Sequence, residues 1–268
     1  MHISLYRIRK AVFFWEKPEI YLISYPKTGR TWLRALIGKS LSLTYNLPEK
    51  RILNTEYMSM AAHLPHTVVT HDGAEMLARK NYRELNTDKT QYKNKKVIIL
   101  SRDVRDTLVS AYFQATKRIK VFEGTISEFI RSEQFGAVKI LTFYKQWYEA
   151  RDVPKEFLFL RYEDLHTTPQ TSLHSVLTFL GIPDPSAEVI QSAIEYASFD
   201  NLKKAEAENR FSSTILSSTD GNDPQSSKVR EGKVGKYSKY LNEEDVKYID
   251  NQIETFGCEF TRPVDHNS

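Results

Sequence analysis

Three polar side chains that bind anions or accept protons each stand at the end of a short apolar run. Lys27 follows IYLIS within YPKTGRTW, His71 ends HTVVTH, and Arg102 follows KVIILS. Lysine and arginine bind anionic groups, and a histidine with an ordinary pKa of about 6.5 can act as a general base. These residue types indicate a site that holds an anionic ligand and also transfers a proton.

The segment LISYPKTGRTWLRAL, residues 22–36, has the outline of a phosphate-binding loop. An apolar strand turns through a proline and a glycine and continues as a helix, whose first N–H groups and partial positive charge favour a phosphate. The hydroxyls of Thr28 and Thr31 add donors, and Trp32 could stack on a base. The Walker A order is absent, since the lysine precedes the glycine. An ordinary strand–turn–helix with Trp32 in the core fits the same spacing.

A second candidate group lies after KVIILS. Arg102 stands where the carboxyl end of a parallel strand binds ligands, and Ser110 lies roughly two helical turns further on a similar face. An arginine fork and a hydroxyl can hold a second phosphate. The alternative is that Arg102 pairs only with the acidic residues that follow it. His71 is favoured over the other histidines because it stands at the same strand edge as Lys27 and Arg102.

The hydrophobic pattern predicts the elements that must position these residues. Near-continuous apolar runs predict four buried parallel strands, at residues 19–24, 66–71, 96–101 and 156–161. Helical patterns lie at residues 30–41, 104–118, 126–150 with a break near Gly136, 164–180, 187–196 and 243–256. This alternation predicts one α/β domain over residues 1–268, with a central parallel sheet flanked by helices.

Composition narrows the class of ligand. The chain has 268 residues, with 38 Lys and Arg against 34 Asp and Glu, so the formal charge is +4. This mild basic bias suits a small anion and does not argue for nucleic acid. The lone Cys258 cannot form an intrachain disulfide and rules out a cysteine metal cluster. A reducing, cytoplasmic setting is expected.

Two segments lie outside the regular pattern. No stretch is long enough for a membrane span, and the apolar run AVFFW near the start is too short for a signal peptide. Residues 1–17 are expected to form a helix packed on the domain, with a peripheral membrane contact as the alternative. Residues 212–228 predict a long polar loop, and the basic segment after it suggests a cover that closes over an anion.

Taken in order, these motifs resemble those of the sulfotransferases that use 3′-phosphoadenosine 5′-phosphosulfate, PAPS. YPKTGRTW is similar to the family's P-K-S-G-T-T-W loop, and SRDVRDTLVSAYF to its R-[DN]-P-[RK]-D-x-x-x-S-x-Y motif. RYEDL, ASFDNLKK and REGKVGKYSKYL resemble the Y-E-D-[LM], S-F-x-x-M-K and R-K-G-x-x-G-D-W-K segments. THDG stands where cytosolic members carry T-H-L-P. The match spans most of the chain and implies a three-layer fold like that of P-loop nucleotide-binding proteins.

The resemblance implies an activity and a role for each matching residue. The reaction is transfer of a sulfuryl group from PAPS to a hydroxyl or amine, with release of PAP and no metal required. Lys27 would help the leaving group depart, and His71 would take the acceptor's proton. The remaining residues would bind the donor: Thr28, Gly29, Arg30, Thr31 and Trp32 at the loop, Arg102, Ser110, Arg230, Glu231 and Gly232 at the 3′-phosphate, and Tyr162, Ser198, Phe199 and Leu202 near the nucleotide.

Several points stay open at the level of sequence. Arg30 stands where the family pattern has threonine, and it could reach phosphate or face solvent. The acceptor is expected to be a small molecule, with a carbohydrate or lipid as the alternative, and loops at residues 45–66, 81–94, 113–125 and 212–227 are expected to shape its pocket. A P-loop kinase and a non-catalytic nucleotide-binding module are the competing classes. The oligomeric state is undetermined.

Overall fold

A four-stranded parallel sheet organises the structure, which is a computed structural model describing residues 17–211, 232 and 234–262. The strands are β1 Ile20–Ser24, β2 Thr67–Thr70, β3 Lys96–Ser101 and β4 Glu156–Arg161. Their order is β2-β1-β3-β4, and Ile23 pairs with Thr70 on one side and Ile99 on the other. This register brings the carboxyl ends of all four strands to one edge of the sheet, so the residues that follow them can meet.

The sheet is buried on both faces. Ile20, Leu22 and Ile98 face one apolar cluster, whereas Ile23, Val97 and Ile99 face the other. Because side chains alternate along a strand, a run buried on both faces must be apolar at nearly every position. The sequence therefore predicted these strands to within one or two residues, and the expected parallel sheet is confirmed.

Helices cover both faces and make the three layers. They are α1 Arg30–Tyr45, α2 Thr55–Ala61, α3 Val104–Phe113, α4 Ile126–Arg131, α5 Ala137–Glu149, α6 Tyr162–Thr167, α7 Pro169–Phe179, α8 Ala187–Tyr196, α9 Phe199–Ala207 and α10 Glu243–Phe256. Residues of α1, α2, α7 and α8 contribute to one cluster, and residues of α3, α4, α5 and α10 to the other. Among the described residues, no helix is long and apolar enough to cross a membrane.

Some boundaries differ from the sequence prediction. The helix expected at residues 164–180 is two helices, because α6 ends at Thr167 and Pro169 opens α7, where a proline fits a first turn but not a helix interior. The helix expected at 104–118 becomes a π-helical turn from Gln114. The predicted loop at 212–228, and all of the predicted N-terminal segment except Lys17, lie outside the described residues.

A buried polar network fixes the chain just after β2. The carboxylate of Asp72 accepts hydrogen bonds from Lys89 Nζ at 2.6 Å, Tyr92 Oη at 2.6 Å and Trp147 Nε1 at 3.1 Å. Burial and this carboxylate raise the pKa of Tyr92 well above its usual range, which keeps its hydroxyl a donor. Asp72 itself has a left-handed φ of 49°. The network therefore holds an unfavourable backbone conformation directly beside His71.

Replacing Asp72 by alanine is expected to lower the free energy of unfolding by about 3–5 kcal/mol, because it leaves the Lys89 ammonium buried without its counter-charge. The Lys89 and Asp72 side chains are 1% and 5% exposed. Urea denaturation measures the change. Asp152→Ala, at an exposed position, is the control and should change stability by less than about 0.5 kcal/mol. Equal effects of the two variants would contradict this role of Asp72.

Candidate active site

A cavity of about 370 Å³ opens at the carboxyl edge of the sheet. Residues that follow each of the four strands line it, as the parallel register requires. The predicted site residues that it brings together are Lys27, Gly29, Arg30, Thr31, Trp32, His71, Arg102, Ser110, Tyr162, Phe199, Leu202 and Gly232. Residues separated by up to about two hundred positions in the chain thus share one wall.

The loop after β1 presents an open helix N-terminus. Helix α1 begins at Arg30 with Gly29 as its N-cap, and within the described chain no side chain caps it and no acid lies in its first turn. Its first N–H groups and the positive end of its dipole are therefore available to an anion. Gly29 has φ 91°, and a Cβ built on it would lie 2.2 Å from Tyr162 Cδ2. Only glycine fits at this position, so the loop after β1 packs directly against Tyr162, the residue that follows β4.

Lys27 is part of this loop, and its contacts link the loop to residues that follow the third strand. Its Nζ donates to Gln114 Oε1 at 3.2 Å, and its carbonyl oxygen accepts from Arg102 Nη1 at 3.4 Å. The residue has a left-handed φ of 74°, a conformation that costs a non-glycine residue about 1 kcal/mol or more. The geometry holds the Lys27 ammonium in the cavity wall, beside the open N-terminus of α1.

His71 lies across the same loop, at the end of the neighbouring strand. Its Nδ1 is 2.7 Å from the carbonyl oxygen of Ser24. A carbonyl oxygen can only accept, so Nδ1 carries the proton and Nε2 is the basic nitrogen in the neutral ring. This tautomer is the one a general base needs when Nε2 faces the reacting group.

Arg102 joins the loop to the third and fourth strands. Its guanidinium carbon lies 4.4 Å from the centroid of the Tyr162 ring, and its Nη2 is 3.5 Å from Asp106 Oδ2. Asp106 is buried and also accepts hydrogen bonds from the backbone N–H groups of Gly235 at 2.8 Å and Tyr237 at 3.0 Å. Of the two alternatives for Arg102, pairing with acids and contact with a ligand, the structure allows both: Arg102 contacts Asp106 and also lines the cavity.

Aromatic rings form another part of the cavity wall. Trp32 packs edge-on against Tyr162, with centroids 5.5 Å apart, and lies 4.5 Å from the His166 ring. Gly232 has φ 61°, and a Cβ there would lie 2.2 Å from Phe199 Cδ2. Gly232, which belongs to the basic segment after residues 212–228, thus packs directly against the Phe199 ring. Flat apolar walls of this kind suit a planar heterocycle.

Four predicted residues are placed differently or are not described. The Thr28 hydroxyl donates to the Tyr25 carbonyl at 2.9 Å and does not line the cavity, so only its backbone is available to a ligand. Ser198 is exposed at the N-cap of α9 and is also absent from the lining. Arg230 and Glu231 lie outside the described residues.

Part of the cavity wall was not predicted from the sequence. The additional lining residues are Pro26, Glu75, Met76, Leu77, Asp106, Val109, Gln114, Ile119, His166, Ala197 and Lys236. Lys236 carried a signal, since it stands in the basic segment that was expected to cover an anion. Residues 75–77 match no motif in the sequence. They follow Asp72, whose contacts come from distant parts of the chain. Of the described loops expected to shape an acceptor pocket, residues 45–66 and 81–94 contribute nothing to this cavity.

No group of three or more His, Cys, Asp or Glu side chains within the described ranges is arranged to hold a metal ion. The site's positive groups are instead Lys27, Arg30, Arg102 and Lys236, together with the N-terminus of α1. They come from the loop and helix after β1, the end of β3 and the segment at Lys236. A ligand with more than one anionic group suits this distribution.

Comparison with known proteins gives consistent matches over nearly the whole chain. The model of the sulfotransferase domain family matches residues 17–259. A flavonol 4′-sulfotransferase of Flaveria chlorifolia is 27% identical over 88% of this chain and 78% of its own length. Cytosolic sulfotransferase 10 of Arabidopsis thaliana is 26% identical over 89% of this chain and 78% of its own.

Solved structures show the same fold. Mouse sulfotransferase SULT7A1, crystallised with PAP, aligns with a TM-score of 0.61 over 93% of this chain and 86% of its own, at 21% identity. Retinol dehydratase in a complex with retinol and PAP aligns with a TM-score of 0.64 over 96% and 87%, at 19% identity. At these identities the likeness concerns the architecture: a central parallel sheet with helices on both faces.

Proposed function

The chain belongs to the sulfotransferase family, and we propose that it transfers the sulfuryl group of PAPS to a hydroxyl of a small molecule, with Lys27 and His71 as the catalytic residues. The observation that carries the proposal is their placement. Lys27 and His71 follow adjacent strands and line one cavity. An amine acceptor is the alternative to a hydroxyl.

We infer that the donor lies across β1, β3 and β4. The open N-terminus of α1 and Lys27 suit the phosphosulfate, and Arg102 with Ser110 suits the 3′-phosphate. The rings of Trp32 and Phe199 suit the adenine. The residues present therefore fit a polyanionic nucleotide. Asp106, which holds Gly235 and Tyr237, is a positioning residue for the segment that covers the same end.

The chemical step needs a base on one side of the sulfur and a cation on the other. The acceptor oxygen forms a bond to sulfur as the bond from sulfur to the phosphate oxygen breaks. The acceptor's proton passes to Nε2 of His71, and the negative charge that develops on the departing phosphate oxygen is stabilised by the Lys27 ammonium. A loose in-line transfer of this kind depends mainly on positioning and charge stabilisation.

The acceptor belongs on the flank of the sheet that carries β2. Met76 and Leu77 lie there, and Val109 and Ile119 extend the apolar wall. The flavonol enzymes among its relatives bear names of phenolic compounds, which favours a small aromatic alcohol over a carbohydrate or lipid. We further propose that the chain works as one domain in the cytoplasm; one of the relatives named above is called a cytosolic sulfotransferase.

A ligand titration tests the assignment against the competing classes. PAP without metal is expected to raise the melting temperature, because it binds the folded state only, whereas ATP with Mg²⁺ should give a much smaller shift. The reverse result would point to a kinase-like activity. Transfer of label from PAPS to a panel of phenols then separates an enzyme from a module that only binds PAP.

Replacing Arg102 by alanine is expected to weaken PAP binding by about 10–100-fold, because a charge-assisted contact to phosphate is lost. The turnover number at saturating PAPS should fall much less. Calorimetric titration with PAP measures the first quantity. Arg83→Ala is the matched control, since Arg83 is exposed and pairs with Glu133 on the surface. Unchanged PAP affinity in Arg102→Ala would remove Arg102 from the 3′-phosphate site.

A further inference from the structure

Arg30 is a half-buried cation whose guanidinium has unmet hydrogen-bonding capacity. It lines the cavity, and its Nη1 is buried without a hydrogen-bond partner among the described residues. Its guanidinium makes no hydrogen bond or ion pair to the described chain. Leaving a buried donor unpaired costs about 1–3 kcal/mol, and more for a charged group. Such a residue fits a site in which a ligand supplies the missing acceptor.

The surroundings of Arg30 carry excess positive charge. Arg34 lies one helical turn further, donates to the Leu53 carbonyl oxygen, and has its Nε buried and unpaired within the described residues. Burial, and then the charge of Arg34, lower the pKa of Arg30 to about 10, and Glu75 opposes this shift. Arg30 thus remains a cation at neutral pH. Two guanidinium groups against one carboxylate leave room for a further negative charge.

The position of Arg30 in the sheet order separates it from the donor. Glu75 follows β2, whereas Arg102 follows β3 and Tyr162 follows β4. Arg34, on the same face of α1, donates to the carbonyl oxygen of Leu53 just before α2, and α2 packs against β2. Since β2 and β3 flank β1 on opposite sides, the Arg30 side chain lies on the β2 flank. His71 is on that flank too.

We propose that Arg30 is a specificity-determining residue that binds a carboxylate of the acceptor, so that the substrate is a small hydroxy compound with a carboxylate near the hydroxyl that is sulfated. This inference rests on the proposed function, because it takes the β2 flank to be the acceptor side. The other source of the same oxyanion chemistry is the donor's phosphosulfate. The experiment below distinguishes the two.

The test uses matched pairs of ligands that differ in one charge: para-hydroxybenzoate and its methyl ester, and a hydroxyphenylpropanoate and its methyl ester. Each is titrated calorimetrically into the protein, with and without PAP. We expect each acid to bind the wild type at least about tenfold more tightly than its ester. In Arg30→Met the acids should lose about 10–100-fold in affinity and the esters none. Arg30→Lys should recover part of the loss, since it keeps the charge without the fork.

The outcomes separate this inference from the proposed function. Equal binding of acid and ester by the wild type, or no binding of any acid, would overturn the carboxylate site. A large loss of PAP affinity in Arg30→Met would assign Arg30 to the donor and also overturn it. If wild-type protein fails to bind PAP, the proposed function fails, and the titrations without PAP still decide whether Arg30 holds a carboxylate. Arg30→Met is expected to fold, because it removes a buried unpaired charge.

Discussion

Replacing Lys27 by methionine is expected to lower kcat by about 10²–10³-fold, the range found when one donor to a developing negative charge is removed. Methionine keeps the length of the side chain and removes the ammonium that would stabilise the departing phosphate oxygen. The loss should exceed the change in PAP affinity, because the charge on that oxygen grows only as the bond to sulfur breaks. Steady-state rates with labelled PAPS at saturating concentration measure it.

The control for this variant is Lys93→Met, at an exposed position outside the cavity lining. It should retain wild-type turnover. Melting temperatures of both variants show whether they are folded. Near wild-type kcat in Lys27→Met would exclude Lys27 from the chemical step, and a loss confined to PAP affinity would make it a binding residue only.

Replacing His71 by asparagine is expected to lower kcat by about 10²–10⁴-fold, the usual contribution of a general base. The asparagine amide can still donate a hydrogen bond to the Ser24 carbonyl, which His71 contacts through Nδ1, but it cannot take a proton. The effect is therefore directed at proton transfer and not at the structure of the loop. His174→Asn, at an exposed position on α7, is the control and should leave kcat unchanged.

The pH dependence of the His71→Asn variant separates a base from a structural residue. With a phenolic acceptor, the variant's rate should rise as the phenol ionises, because an acceptor that has already lost its proton needs no base. The deficit relative to the wild type should shrink at high pH. A deficit that stays constant from neutral pH to well above the acceptor's pKa would show that His71 does not act as a base.

Much of the fold could be predicted because the sheet is buried on both faces. That burial forces four continuous apolar runs, and these were visible in the sequence. The family, the fold class and the enzyme class are confirmed by the family match and the fold comparisons. The helices α2 and α9 were not predicted. Helix α9, FDNLKKAEA, has only a narrow apolar face among its charged residues, so no helix was predicted there.

The candidate site was predicted where it depends on strand ends and missed where it depends on distant contacts. Lys27, His71 and Arg102 stand one to three residues past a strand or directly at its end, so parallel pairing alone brings them together. Glu75 and Leu77 lie three and five residues after Asp72, which is held by Lys89, Tyr92 and Trp147. No local pattern reveals that contact, since Trp147 lies 75 residues away in sequence.

Arg30 illustrates how a single departure from a motif is resolved. The sequence left two alternatives for it, contact with phosphate or exposure to solvent. The structure places it in the cavity wall, half-buried, with its Nη1 shielded from solvent. Full solvation is thereby excluded, and the choice between an anion of the donor and one of the acceptor becomes a question for the ligand titrations.

Lys27 and Asp72, two left-handed residues beside the cavity, bear on whether the loop after β1 can adopt its shape outside the folded domain. Each has a backbone conformation that its side chain disfavours, so the loop's own sequence does not select its shape. The contact of Gly29 with Tyr162 and the Asp72 network supply the selection from other parts of the chain. A peptide that carries YPKTGRTW alone would therefore sample other conformations and bind a phosphate poorly. The anion site is a property of the assembled sheet edge, and it forms only when the whole domain does.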